Sequence, residues 1–551
     1  MIIGMNKKKL CALVTLSLAL CQSVYADAPI FLSTNSVVLK KPPAVTLPDH
    51  ARRVGRINLN MAALRGVDER IWLAPQLRLR PFDNVDVTLR GVRLEDTLDG
   101  SSTWIGHTDA PIEGDAVLTL HNNNLTGRID IGADQFLINT AIDGNYYVTE
   151  IDPSTYSGVP CLSGTDDTIG ETMLAQEQHT TIATTAQVSN TIDVLVAYTQ
   201  QVAAQNALDP ASYINNLIAD ANNSFAVSGI NAAYRVVGYT AYAGYQEPSI
   251  TNSTANAWIT LIGEMNSGSA VTQAAYGTGS FAQLKSLRET YAADLVVLLV
   301  NGNKLTATCG LSDSIPNAPD ANTYSNSSAY VLAADTCATG DRTLTHELGH
   351  HLGGRHNWQE ANETQGDYDP TIVSAYLGNH GYWYSSPSLS FKTIMAVWPS
   401  CGVSGCARIN RWSSYNQTYS GVPLGIAPNP NLGIYNRPND MVSTLSSFAP
   451  AVVQYRTPGT LAIPGTPSNF STSHCNGITT LSWSTTGTVG WFEIYNANQT
   501  PQALIYRGGN STFKSSFGVT TSLNVRACNA ATCSGYGSTI VPPTPSGCGP
   551  Q

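Results

Sequence analysis

The apolar and polar positions of the chain fall into three rhythms. In residues 27–160 apolar residues alternate with polar ones. Val117-Leu118-Thr119-Leu120, Leu125 to Ile131 and Tyr146 to Ile151 read as strands, with Asn122-Asn123-Asn124 and Asp143-Gly144 as the turns between them. The pattern predicts a β-meander. Residues 161–190 are polar and Thr-rich with little periodicity, and they predict an exposed linker suited to proteolytic processing.

Residues 191–455 mix two periods and predict an α/β domain. Ile192 to Tyr198, Ala233 to Tyr239 and the very apolar Ala293 to Val300 read as strands. Ala211 to Phe225 and Phe281 to Tyr291 read as helices, and a further helix is predicted from about Arg342 to Leu352. A Pro/Gly linker at 456–467 follows. Residues 468–540 then show short strands at Thr479–Ser484, Trp491–Tyr495, Ala503–Tyr506 and Ser522–Ala527, with 541–551 as a tail. The fold class expected is multidomain: a β-rich N-terminal domain, an α/β domain and a C-terminal β-sandwich.

Composition changes this picture in one respect, the compartment. With 551 residues the chain is too long for one core. Charged residues make up 12%, against about 25% in ordinary soluble domains. A formal charge of −10 argues against nucleic acid or an anionic membrane as partner. Lys7-Lys8-Lys9, the apolar run Leu10 to Leu20 and Val24-Tyr25-Ala26 read as a signal peptide over 1–26, so the protein is expected to be secreted. No segment is apolar for long enough to span a bilayer. Of the 11 cysteines, Cys11 and Cys21 would leave with the signal. Cys309, Cys337, Cys401 and Cys406 form one group of four; Cys475, Cys528, Cys533 and Cys548 form a second. Two bridges per group fit an oxidising compartment, and the pairing stays open. Cys161 is the odd one out.

The chemistry lies in residues 346–356, HELGHHLGGRH. His346 and His350, four apart, share one helix face, where one small cation could bind both. Glu347 projects beside them as a general base. Gly353 breaks the helix, because glycine freely takes the left-handed conformation. The turn returns His356 as a third ligand. Three nitrogens leave a fourth tetrahedral position open, the pattern of one catalytic Zn2+ and not of a closed structural site. His351 faces away and reads as packing or support. A calcium requirement is not legible; Glu363, Asp367 and Asp369 form only a small acidic loop cluster.

HExxHxxGxxH is the mark of the metzincins, and the resemblance implies a Met-turn downstream. Phe391-Lys392-Thr393-Ile394-Met395-Ala396 supplies one, with Met395 as the apolar floor under the metal. IDVLVAYT (192–199), LRETYAADLVVLL (287–299), Cys309-Gly310, HGYWYSSP (380–387) and RINRWS (408–413) occur in order around the motif. Together they resemble the bacterial peptidyl-Asp metalloendopeptidase family, a reprolysin-like branch. His351, Asn357 and Val397 depart from that family's usual residues, and none of them is a ligand or the base. The resemblance implies a mostly parallel sheet above the metal, with Ala329–Ala333 as an edge strand beside bound substrate. It also implies that 27–160 is a propeptide, and the C-terminal strands resemble a fibronectin type III domain. That domain would act as a spacer, or bind a surface, glycan or protein.

The expected function is therefore a secreted zinc endopeptidase acting on protein or peptide substrates. The rivals are a secreted adhesin with a non-catalytic zinc site and a zinc hydrolase of other substrates. A preference for acidic residues is implied by resemblance alone; Lys392 and Arg408 are the candidate cations to read that charge. Cys161 is a candidate latency switch, since a thiolate is a good zinc ligand.

Overall fold

The computed structural model describes residues 31–33, 50–156 and 190–550, less short internal gaps; 1–30, 34–49, 157–189, 320–328 and 359–377 are the longer stretches outside it. The expected signal peptide, the linker, Cys161 and the acidic cluster 363–369 lie outside the described residues.

The N-terminal alternation does fold as a meander. Its strands are β1 (Phe31–Ser33), β2 (Ala51–Leu59), β3 (Gln76–Phe82), β4 (Val85–Asp96), β5 (Ser102–Thr108), β6 (Gly114–His121), β7 (Asn124–Ile131), β8 (Asp134–Thr140) and β9 (Tyr146–Ile151). Strands β4 to β9 pair antiparallel in sequence order, and β2 closes against β9. Asn122, at φ 54°, and Gly144, at φ 74°, make two of the turns, where the left-handed region suits short polar residues and glycine.

The middle domain is built on a five-stranded sheet. Its strands are β10 (Thr191–Thr199), β11 (Ala233–Tyr242), β12 (Leu295–Val300), β13 (Gly310–Ser312) and β14 (Tyr330–Ala334). The order is β11-β10-β12-β14-β13; all neighbours are parallel except β13, which runs antiparallel to β14. The run Leu-Val-Val-Leu-Leu-Val of β12 is apolar throughout because both sheet faces are covered. Leu295, Val297 and Leu299 enter one core cluster; Val296, Leu298 and Val300 enter another. One expectation is corrected here. Residues 330–334 are an interior strand, and the edge is β13, held to the following helix by the Cys309–Cys337 disulfide. Apolar composition marks a strand as buried but does not say which neighbour ends the sheet.

The helices that matter for the site are α1 (Pro210–Val227), α2 (Asp335–Gly340), α3 (Thr343–His350) and α4 (Met441–Val452). Asp209 caps α1 by accepting the Ser212 N–H, and Pro210 opens it, a standard helix start.

The C-terminal strands form two antiparallel sheets. One contains β15 (Ser468–Cys475), β16 (Ile478–Ser484) and β19 (Thr512–Ser515); the other contains β17 (Trp491–Asn496), β18 (Ala503–Gly508), β20 (Thr521–Cys528) and β21 (Gly537–Val541). Gly549–Pro550 pairs with β15, and Cys548 bridges Cys475, so the expected tail is part of the sandwich. Cys401–Cys406 and Cys528–Cys533 are the remaining disulfides among the described residues.

Candidate metal centre and active site

The active-site helix is short because both its ends are fixed by unusual backbone. It starts at Arg342, at φ 52°. A non-glycine residue there is costly unless its surroundings hold it. They do: Arg342 donates to Asp220 at 2.8 and 3.2 Å and to the Arg408 carbonyl at 2.8 Å, and it pairs with Asp130. The helix ends before Gly353, at φ 77°, where a side chain would meet the Phe448 ring at 2.8 Å. The turn that follows delivers His356.

His346, His350 and His356 are all buried, and one ring nitrogen from each lies within 4.8 Å of the others. His346 Nε2 and His356 Nε2 are 3.2 Å apart. The far nitrogens are tied down. His346 Nδ1 donates to the Ile394 carbonyl at 2.9 Å, and His350 Nδ1 donates to the Gly354 carbonyl at 2.7 Å. Such bonds fix the tautomer that leaves Nε2 as an electron-pair donor. Burial, with Arg408 nearby, holds His346 well below its usual pKa and His356 down at about 3. Convergent nitrogens and fixed orientation, with His346 and His356 held neutral, are what a metal site requires.

Glu347 lies on the same helix and is fully buried. Burial pushes its carboxyl up to about 8, against opposing pulls from Ser312 and Arg408. Its Oε1 has no hydrogen-bond partner among the described residues. A buried carboxylate oxygen with no partner next to three histidines fits a site that a cation completes. Gly310 makes room for it, since a Cβ there would stand 2.5 Å from Glu347 Oε1.

Met395 is buried beneath the helix. A Cβ on Gly349 would meet Met395 Sδ at 2.9 Å and the Trp412 ring at 2.7 Å, so glycine lets the helix rest on this floor. Asn357 accepts the Val397 N–H at 2.9 Å and ties the third-ligand segment to the Met-turn. His380 donates to the His356 carbonyl at 2.7 Å and stacks on Trp358. His351 is buried with Nδ1 3.9 Å from Asp313, away from the metal cluster.

Lys392 and Arg408 are not solvated. Lys392 Nζ lies 3.3 Å from Asp341, and Arg408 lies 3.2 Å from the same carboxylate. Arg408 also donates to the Ala396 carbonyl at 3.1 Å, while its Nε has no partner among the described residues. Their shared pairing with Asp341 counts against both as readers of substrate charge. Ser312, Gly310, Gly349, Arg342 and Trp412 are site residues that spacing alone did not reveal. Each acts across tens of residues of sequence.

Comparison with known proteins finds metallopeptidase relatives. Residues 188–413 match a family model described as Reprolysin_5, metallo-peptidase family M12. A peptidyl-Asp metalloendopeptidase of Stenotrophomonas maltophilia strain R551-3 is 27% identical over 387 residues, which cover 66% of this chain and 80% of that protein. Another, from Xanthomonas campestris pv. campestris, is 25% identical over 367 residues, 63% of this chain and 76% of its own. Among solved structures, metalloproteinase-II from Bacteroides fragilis overlaps loosely, at TM-score 0.34 and 13% identity, over 54% of this chain and 88% of its own.

Proposed function

Because the chain carries a reprolysin-like metallopeptidase domain of family M12 and is a zinc metalloendopeptidase, we propose that Glu347 is its general base and His346, His350 and His356 its zinc ligands. The observation that carries this reading is the convergence of three buried imidazoles beside a buried carboxylate with an oxygen that has no partner among the described residues.

A zinc ion held there supplies Lewis-acid chemistry, acidifying a water and polarising the scissile carbonyl. Glu347 takes the proton from the attacking water and returns it to the leaving amine. No covalent intermediate on the protein is needed. Strand β13 has a free outer edge among the described residues, and an extended substrate could pair along it. Met395 and Trp412 keep the helix seated from below.

The preference for acidic residues belongs to this proposal and is supported by the relatives, which are peptidyl-Asp metalloendopeptidases. Both cations pair with Asp341, and Arg408 is the better candidate reader because its Nε has no partner among the described residues. Secretion through residues 1–26 is proposed on the same footing, and the four disulfides fit it. So is a fibronectin type III identity for the C-terminal sandwich. The rival reading, a binding protein with an inert metal site, gives no use to Glu347.

Casein hydrolysis with and without a chelator tests the reading. Chelation should abolish cleavage, and added zinc should restore it. Glu347→Gln should keep bound metal and lose roughly 10²–10⁴ in rate. A metal-loaded Glu347→Gln protein cleaving near the parent rate overturns the base.

A further inference from the structure

The N-terminal domain touches both other domains, and the two contacts differ in chemistry. Towards the catalytic domain it lays the face of β5, β6 and β7 on α1. The α1 residues involved are Ser212, Asn215, Asn216, Ala219 and Asn223, which recur at three- and four-residue spacing and so form one stripe. Four of the five are polar. Asn216 donates to the Val117 and Thr126 carbonyls and to Thr119 Oγ1 at 3.0–3.2 Å. Asn215 donates to Asp99 at 2.8 Å, and Ser212 meets Thr126 at 3.1 Å. Around this stripe the contact is ionic. Asp130 pairs with Arg342, Asp115 takes Arg411 at 3.0 Å, and Asp209 meets His121 at 2.7 Å. The apolar share is smaller: Ala219 packs against Ile105 and Val117, and Leu137 and Ile151 are buried in a catalytic-domain core.

Towards the C-terminal sandwich the contact is of another kind. Leu94 and Glu95 of β4 pair in parallel with Tyr506 and Arg507 of β18, which joins the two sheets into one. The Leu73 N–H donates to the Lys514 carbonyl at 3.2 Å, and Asn510 donates to Asp96 at 3.1 Å. Beneath these bonds lies one continuous apolar core that contains Leu73 and Trp104 from one side and Trp483, Phe492, Phe513 and Val525 from the other.

An apolar core shared across a joined sheet resembles an obligate interface, whereas a polar, ion-paired helix stripe resembles a separable one. Uncovering α1 would expose side chains that water solvates well. Uncovering the shared core would expose large aromatic and aliphatic surface. We infer that the N-terminal domain and the C-terminal sandwich form one permanent unit, and that the grip on the catalytic domain is the releasable one. On a cut between the N-terminal and catalytic domains, the N-terminal domain would then not diffuse away. It would let go of α1 and Arg342 while staying on the sandwich. This deepens the peptidase reading, since the held element is the start of the active-site helix, but its test does not depend on catalysis.

The test uses the full chain in the Glu347→Gln background, so that self-cleavage cannot intervene. One site for a specific protease is inserted after Ala175 and another after Gly459. After cutting at both, shown complete on a denaturing gel, the fragments are separated by gel filtration in 1 M NaCl. The N-terminal fragment should co-elute with the C-terminal sandwich, apart from the catalytic fragment. Elution of the N-terminal fragment with the catalytic fragment alone, or by itself, overturns the permanent unit. Co-elution of all three overturns the releasable grip. Loss of activity in the parent enzyme would bear on the peptidase reading and leave this partition untouched.

Discussion

Ser312 Oγ donates to the main-chain carbonyl of Glu347 at 2.6 Å and lies 3.1 Å from that residue's Oε2. One hydroxyl proton therefore serves the backbone of the active-site helix and stands beside the carboxylate proposed as the general base. Ser312 is on the edge strand β13, so the bond also sets the distance between helix and substrate edge.

From this relationship Ser312→Ala should slow the chemical step without disturbing metal binding. One hydrogen bond is worth about 0.5–1.5 kcal/mol, which corresponds to a fall in kcat of roughly two- to tenfold. KM and zinc content should stay at parent values, and Ser312→Thr, which keeps the hydroxyl, should restore part of the rate. A raised KM with unchanged kcat would instead place Ser312 in substrate binding.

Gly349→Ala should loosen the metal floor. Its methyl group would stand 2.7 Å from the Trp412 ring and 2.9 Å from Met395 Sδ, and neither neighbour has room to retreat in a buried core. Overpacking of this kind costs about 1–3 kcal/mol. The expected outcome is a lower melting temperature and a reduced zinc content on dialysis. An unchanged melting curve with full zinc would show that Met395 and the helix can part without cost.

The metal triad could be read in the chain because its geometry is local: four residues make one helical turn, and a glycine makes the bend. The strands of β6, β7, β9 and β12 were legible for the same reason, through period and apolar run. Contacts set by tertiary closure were not. Arg342 looks like any surface arginine until Asp220, more than a hundred residues away, and Asp130, further still, close on it. The sequence shows a helix at Ala211 to Phe225 but not that its polar stripe is covered by a second domain. Strand 330–334 was mistaken for the edge because the three residues that form the edge, Gly310–Ser312, are too few to show a period.

Arg408 and Lys392 should separate in their effect on specificity. Lys392→Met removes a cation already spent on Asp341, so the cleavage profile on a peptide library should stay close to the parent's. Arg408→Gln keeps an N–H donor on a shorter side chain while removing the charge. It should lower kcat/KM for acidic sites more than for neutral ones. Equal losses at both kinds of site would remove Arg408 as the reader of substrate charge.

Acid should unfold the C-terminal sandwich through Glu493. Burial alone would raise its carboxyl, but Arg507 and Arg526 outweigh burial and hold it down at about 2. Arg507 lies 2.9 Å from one oxygen and Arg526 2.7 Å from the other, while Tyr495 donates to the second at 2.8 Å. The folded pKa is below the unfolded value of 4.5. Stability from the ionised form is thus fully present above about 4.5 and is lost as pH falls towards 2. The melting temperature of the sandwich should drop across that window. Glu493→Gln should lower stability at neutral pH by about 3–5 kcal/mol, since the buried Arg526 and the partly buried Arg507 lose their counter-charge. It should also flatten the slope between pH 4.5 and 2. Tryptophan fluorescence, with Trp483 and Trp491 in the sandwich core, can follow both. A Glu493→Gln protein with the parent's acid slope would assign the acid sensitivity to other carboxylates.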